Sequence, residues 1–175
     1  MKGVVFSEFL EFVEARHGAD MVDDIIDASG ASGAYTTVGT YPHAELVALA
    51  TQLCQRTGQT MPEMLRRFGR HMAGVFERSF AEYFARSNCL FEFLASVDDH
   101  IHIEVRKLYP DAELPAFDVT ERDARHLVLD YRSPRRMEAL AVGLIEGAAD
   151  RFGASVDVST MPLDDGGTRI AVRLA

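Results

Sequence analysis

Two short stretches of this 175-residue chain hold side chains that could do chemistry. The first is "SVDDHIHIEVRKLY", residues 96–109, in which His100 and His102 sit inside a helical pattern. At about 100° per residue the two imidazoles lie roughly 160° apart around the helix, so they cannot share one site. The apolar stripe Leu90, Leu94, Val97, Ile101, Val105 and Leu108 leaves His102 at one edge, beside Phe91, Ala95 and Asp98. It leaves His100 at the other edge, near Ser96, Glu104 and Lys107, with Phe93 as its only large apolar neighbour. His102 is therefore the imidazole expected to face an apolar interior. Two readings fit it: a half-buried histidine hydrogen-bonded to a neighbour, or an axial ligand of the kind that holds a haem iron and leaves its opposite face open. No second histidine or carboxylate stands at chelating spacing beside it, and the "DDH" run fans out around the helix.

The second stretch is "YRSPRR", residues 131–136. Ser133 reads as an N-cap and Pro134 as the first helical position, with Met137, Leu140, Ala141, Leu144 and Ile145 continuing at helical spacing. Arg135 and Arg136 would then lie at the positive end of the helix dipole, which repels cations. Either they are solvated at a small cost, or an anion lies nearby.

The elements that must position these groups follow from the patterning. Helices are expected from the N-terminus to Gly18, from Asp20 to the "SGASG" stop, from His43 to about Arg56, and from a Thr60–Glu63 capping box through Phe80. The face of the first is expected to hold Val4, Val5, Phe9, Phe12 and Val13. "YTTVGTYP" is short, β-rich and turn-like. A long helix spans Cys89 to Tyr109; a hairpin, a helix from Pro134 to about Arg151 and a second hairpin around Asp165-Gly166-Gly167 complete the chain. The fold class is α+β: a helical N-terminal lobe, and a C-terminal lobe in which four strands form one antiparallel sheet.

With 47% hydrophobic and 26% charged residues the composition is that of a globular protein. A net charge of -9 argues against a general nucleic-acid or anionic-membrane binder. No stretch reads as an export signal or a membrane span. Cys54 and Cys89 form no CxxC pattern and read as reduced thiols packed in the core of a cytoplasmic protein. His17, His43, His71 and His126 have no metal-ligand spacing.

"MKGVVFSEFL", "GTYPHAEL", "DDHIHIEVRKLYPDAELPAF", "YRSPRR" and "GLIEGAA" occur in the order and spacing of the haem–nitric oxide/oxygen binding (H-NOX) domain, the sensor domain also found in soluble guanylate cyclase. The chain resembles a stand-alone bacterial member of that family over essentially its whole length. The resemblance implies one domain of residues 1–175, with a distal helical lobe at 1–60, a proximal lobe at 61–175 and haem b (iron protoporphyrin IX) between them. It implies that His102 is the proximal ligand, that Tyr131, Ser133 and Arg135 hold the haem propionates, and that Pro115 presses on the haem. A propionate near the start of the helix would then explain Arg135, with Arg136 left in solvent.

The resemblance also bears on the ligand. Oxygen-binding members carry a distal tyrosine supported by an indole and an amide; the matching positions here are Leu140, Phe9 and Met72. The implied lining, Val5 with Phe9, Met72 with Phe76 and Leu140 with Leu144, offers no hydrogen-bond donor. Nitric oxide and carbon monoxide are therefore the expected ligands, with oxygen held weakly. The implied function is sensing without turnover: release of His102, movement of the lobes, and a signal to a separate histidine kinase or cyclic-di-GMP enzyme (a diguanylate cyclase or phosphodiesterase). Two other classes remain as alternatives, a haem enzyme and a haem-free module whose Arg135 grips an anionic ligand.

Overall fold

The computed structural model describes the backbone of residues 1–175 and every side chain but that of Leu108, which the apolar stripe includes. Internal contacts group the chain into two units, Met1–Phe68 and Gly69–Ala175.

The first unit contains α1 (Gly3–His17), α2 (Ala19–Ser29), α3 (His43–Thr57) and the beginning of α4 (Met61–Ser79). Phe6, Phe9, Phe12 and Val13 of α1 are buried, whereas Val4 and Val5 are only half-buried. The expected face is thus displaced by Phe6, which packs on Tyr35 and Tyr41 at ring-centroid distances of 4.6 and 5.5 Å. Those two tyrosines belong to the "YTTVGTYP" stretch, whose pairing consists of one bridge, Lys2 with Thr40. Gly18, not Asp20, precedes α2, and Asp20 lies in its first turn. The Thr60 box forms as expected: the Thr60 amide and hydroxyl both donate to Glu63 Oε2, at 2.9 and 2.7 Å.

The second unit contains the rest of α4, α5 (Ala81–Ala85), α6 (Leu90–Ser96), a π-helical turn (Val97–Ile101), α7 (His102–Leu108), β1 (Ala116–Arg122), β2 (His126–Arg132), α8 (Glu138–Arg151), β3 (Val156–Pro162) and β4 (Thr168–Leu174). The two hairpins join as one antiparallel sheet of order β1-β2-β4-β3. Leu127, Leu129, Ile170 and Val172 of its central strands are buried against Ala141, Val142 and Ile145 of α8 and Leu90, Phe91 and Leu94 of α6. Phe84 and Phe93 stack at 4.2 Å within this core.

Four expectations are corrected here. The helix expected through Phe80 ends at Ser79, because Phe80 leaves helical dihedrals (φ -135°, ψ 40°). The long helix expected from Cys89 to Tyr109 is interrupted by the π turn. Cys89 is exposed rather than packed in the core, while Cys54 is half-buried. The helix expected at Pro134 begins at Glu138, because Arg136 adopts a left-handed backbone (φ 49°) that helical residues do not share.

α4 and α8 meet at glycine. A Cβ on Gly69 would come within 2.2 Å of the Leu140 carbonyl oxygen and 3.0 Å of the Gly143 Cα. The same close approach recurs at Gly147, where a Cβ would stand 2.4 Å from the Ala73 Cβ. These contacts set the spacing of the segments that bear Met72 and Phe76, on α4, and Leu140 and Leu144, on α8.

Gly69→Ala should therefore destabilise the protein by about 1–3 kcal/mol, the usual cost of overpacking, in urea unfolding. An unchanged midpoint would contradict the close crossing. A second prediction concerns Asp130, whose carboxylate accepts from Arg169 Nε and Nη2 at 2.7 and 3.0 Å. The Arg169 hydrogen bonds hold its pKa below the ordinary aspartate value. A carboxylate favoured in the folded state stabilises above its unfolded pKa, and that contribution disappears as pH falls through the folded one. Asp130→Asn should lower stability at pH 7 and flatten its decline below about pH 4. Parallel pH profiles of variant and wild type would refute it.

Candidate functional site

His102, Pro115, Tyr131, Ser133 and Arg135 all belong to the unit Gly69–Ala175. His102 opens α7 directly after the π turn, and its backbone N–H donates to the Val97 carbonyl five residues back. That wide turn changes the helix phase. In an unbroken α-helix Phe93 and His100, seven residues apart, would share a face. Here Phe93 is buried in the core and His100 is exposed. The expected contrast between the histidines holds, since the His102 side chain keeps only 11% of its exposure.

The His102 ring is held on two sides. Its Nδ1 lies 2.8 Å from Asp98 Oδ1, and its ring centroid lies 6.0 Å from that of Phe117 on β1. Phe117 in turn lies 5.2 Å from Tyr131, its register partner on β2. Burial pushes the His102 pKa below the ordinary histidine value, and the Asp98 carboxylate pulls the other way. The neutral form so favoured is the one that can donate a lone pair to a metal. With Nδ1 engaged by a carboxylate, the proton belongs on Nδ1 and Nε2 keeps the free lone pair. Among the described residues no group of three or more His, Cys, Asp or Glu could hold a metal ion. The donor set therefore suits an iron that brings its own macrocycle, as haem does, better than a protein-caged ion.

Tyr131 ends the buried run of β2, and burial raises its phenol pKa, against hydrogen bonding from Ser133. Ser133 does not cap a helix. Its hydroxyl accepts from the Arg135 N–H at 3.2 Å, and its carbonyl accepts from the Arg136 N–H at 3.2 Å, so residues 133–136 form a tight turn. The expected arginines in the first turn of a helix are absent for this reason. That turn holds Glu138, the charge its dipole favours. Arg136 is exposed, as expected.

The Arg135 guanidinium is largely buried, with 13% of its side chain exposed, and grips Glu113 twice. Nη1 donates to the Glu113 carbonyl at 2.7 Å and Nη2 to its carboxylate Oε2 at 2.6 Å. Arg135 thus already holds one carboxylate oxygen, through Nη2, and a propionate there would compete with an exposed glutamate side chain. Tyr131 and Ser133 also line a cleft of about 320 Å³ with Arg136, Glu138 and the β3–β4 turn. Pro115 is half-buried immediately before the edge strand β1.

The residues matched to the ligand side are apolar in each unit. In the first, Phe9 is fully buried against Phe12 and Phe68, and Val5 is half-buried. In the second, Met72 is buried, and Phe76, Leu140 and Leu144 are half-buried. Asp98, Glu113 and Phe117 were not singled out from sequence as site residues. For Asp98 a usable sign was there: it precedes His102 by four residues, the spacing at which helical side chains meet.

The family pattern described as "Haem-NO-binding" matches residues 2–160. A solved Fe(II) unliganded H-NOX protein from K. algicida superposes with a TM-score of 0.94 at 36% identity, covering 100% of this chain and 97% of that one. An H-NOX protein from S. oneidensis in the Fe(II)NO state shares the fold, with a TM-score of 0.92 at 22% identity over 100% of this chain and 99% of its own. Soluble guanylate cyclase 89Da of Drosophila melanogaster is 28% identical over 158 residues, which are 87% of this chain but only 23% of that protein. The chain thus spans about a quarter of the length of the curated relatives it matches. No described helix is long and apolar enough to cross a membrane. The match from residue 2 to residue 160, joined to a four-stranded α+β fold and a buried, oriented His102, places this chain in the haem–nitric oxide binding (H-NOX) family of haem-binding gas-sensor domains.

Proposed function

We propose that this chain is a sensor of nitric oxide, and secondarily of carbon monoxide, that holds haem b through His102 and retains oxygen weakly. Haem, when bound, would supply the iron that takes a diatomic gas, and His102 would be the protein's hold on that iron. His102 is the residue that must hold and then let go. It opens α7 directly after the π turn, on a segment of short helical pieces rather than one continuous helix. Tyr131, Ser133 and Arg135 are assigned to the propionates, and Pro115 to contact with the macrocycle.

The observation that carries the choice of gas is the chemistry of Phe9, Met72 and Leu140. None can donate a hydrogen bond. Bound oxygen carries partial negative charge and gains from a donor, whereas nitric oxide needs far less help. The absence of acid–base groups at these positions also speaks against turnover. Output is assigned to a separate signalling protein, a histidine kinase or a cyclic-di-GMP enzyme, that reads the movement of the His102 segment. Residues 1–60 serve as the distal lobe in this reading and 61–175 as the proximal one. A cytoplasmic setting fits this role.

Absorption spectra of the reduced, haem-loaded protein test the proposal. Nitric oxide and carbon monoxide should each change the spectrum, nitric oxide with loss of the histidine ligand, and air should leave no long-lived oxygen complex. A stable oxygen complex would overturn the choice of gas. Leu140→Tyr should lengthen oxygen retention; unchanged retention would remove Leu140 from the distal wall. Arg135→Ala should speed haem loss by roughly 10- to 100-fold, the equivalent of a lost charge-assisted hydrogen bond of about 1.5–3 kcal/mol. Equal rates of haem loss in variant and wild type would release Arg135 from the propionate role.

A further inference from the structure

Asp98 and His102 stand one turn apart, on either side of the junction between the π turn and α7. Their side chains meet at 2.8 Å, Oδ1 to Nδ1. Both are largely withdrawn from water, with 30% of the Asp98 side chain and 11% of the His102 side chain exposed. A hydrogen bond between a carboxylate and a ring N–H is stronger than a neutral one, and more so away from bulk water. It does two things to an imidazole. It settles which nitrogen carries the proton, and it draws on that proton so that the other nitrogen becomes a better electron donor.

We propose that Asp98 is a positioning residue that sets the strength of the His102 bond to iron, and with it the ease of the release on which signalling depends. This rests on the haem reading of His102. The geometry matters because the partner is local. A carboxylate four residues back on the same segment travels with His102, so its hydrogen bond persists when the ring leaves the iron. Asp98 therefore strengthens the ligand while it is bound and keeps the released ring in one tautomer, ready to rebind through Nε2. Phe117, packed at the ring, limits its rotation about the side-chain bonds. In this arrangement the charge of residue 98 acts as a threshold: a carboxylate holds His102 on the iron more firmly than a neutral group of the same size.

Asp98→Asn, which keeps the size and removes the charge, tests the proposal beside Asp98→Leu and Asp98→Glu. In the reduced, gas-free protein the iron–histidine stretching frequency should fall in the Asn and Leu variants, and the reduction potential should shift to more positive values. Loss of the His102 ligand after nitric oxide addition should be at least about tenfold faster, at the low end of what a missing carboxylate partner costs in metal affinity. Asp98→Glu should recover part of each change. Nitrogen NMR of the His102 ring in the haem-free protein provides a readout that does not need haem: the wild type should be protonated at Nδ1, and the Leu variant should populate both tautomers. Identical frequencies, potentials and release rates in all four proteins would overturn the proposal. So would a haem-free wild type protonated at Nε2. A chain that binds no haem yet keeps the Nδ1 tautomer would overturn the haem reading and the tuning of iron with it, leaving the hydrogen bond intact.

Discussion

An imidazole can serve as a lone metal ligand only if it is kept neutral, kept in one tautomer and kept from turning. Everything distinctive about the Gly69–Ala175 unit bears on that constraint at His102. Burial disfavours the charged form, Asp98 occupies Nδ1, and Phe117 flanks the ring from β1. Neither burial nor the hydrogen bond would suffice alone. Burial without a partner leaves the tautomer open, and a partner in full solvent leaves the ring free to protonate and rotate.

The π turn is the backbone device that reconciles two demands on one segment. α6 must bury Phe93 with Phe84 in the aromatic core, while the following turn must present His102 and leave His100 outside. A uniform helix cannot meet both demands, because it ties Phe93 to the face of His100. The wide turn slips the phase between α6 and α7. A similar economy operates at residues 131–136. A left-handed Arg136 ends the β2 exit in a tight turn, delays α8 to Glu138, and leaves the Arg135 guanidinium beside Glu113. The dipole conflict that the arginines would create in a helix does not arise.

The order of elements was legible in the sequence wherever one principle dominated. The capping box at Thr60, the glycine stop at Gly18, the "SGASG" stop at Gly30, and the two hairpins each carry a local chemical sign that tertiary packing does not override. His102 was separable from His100 because angular position on a helix is simple geometry. The π turn was not legible: no Gly or Pro marks Val97–Ile101, and its cause is the competition between the core around Phe93 and the placement of His102. The late start of α8 was missed because Ser-Pro reads equally well as a cap and as a turn; a positive φ at Arg136 decided it. Phe6 was missed on α1 because the tyrosines that cover it come from a loop some 30 residues away. Glu113 was missed as the partner of Arg135 because a carboxylate's partner depends on side-chain direction, which spacing constrains only within a helix; Asp98, four residues before His102, did carry such a sign.

The central claim is that His102 Nε2 is the protein's bond to haem iron. Replacing His102 with glycine and growing the protein with and without imidazole tests it most directly. Without imidazole the variant should come out haem-free or with an altered spectrum, and imidazole should restore the wild-type spectrum. A His102→Gly protein that takes up haem with the wild-type spectrum in the absence of imidazole would contradict the claim.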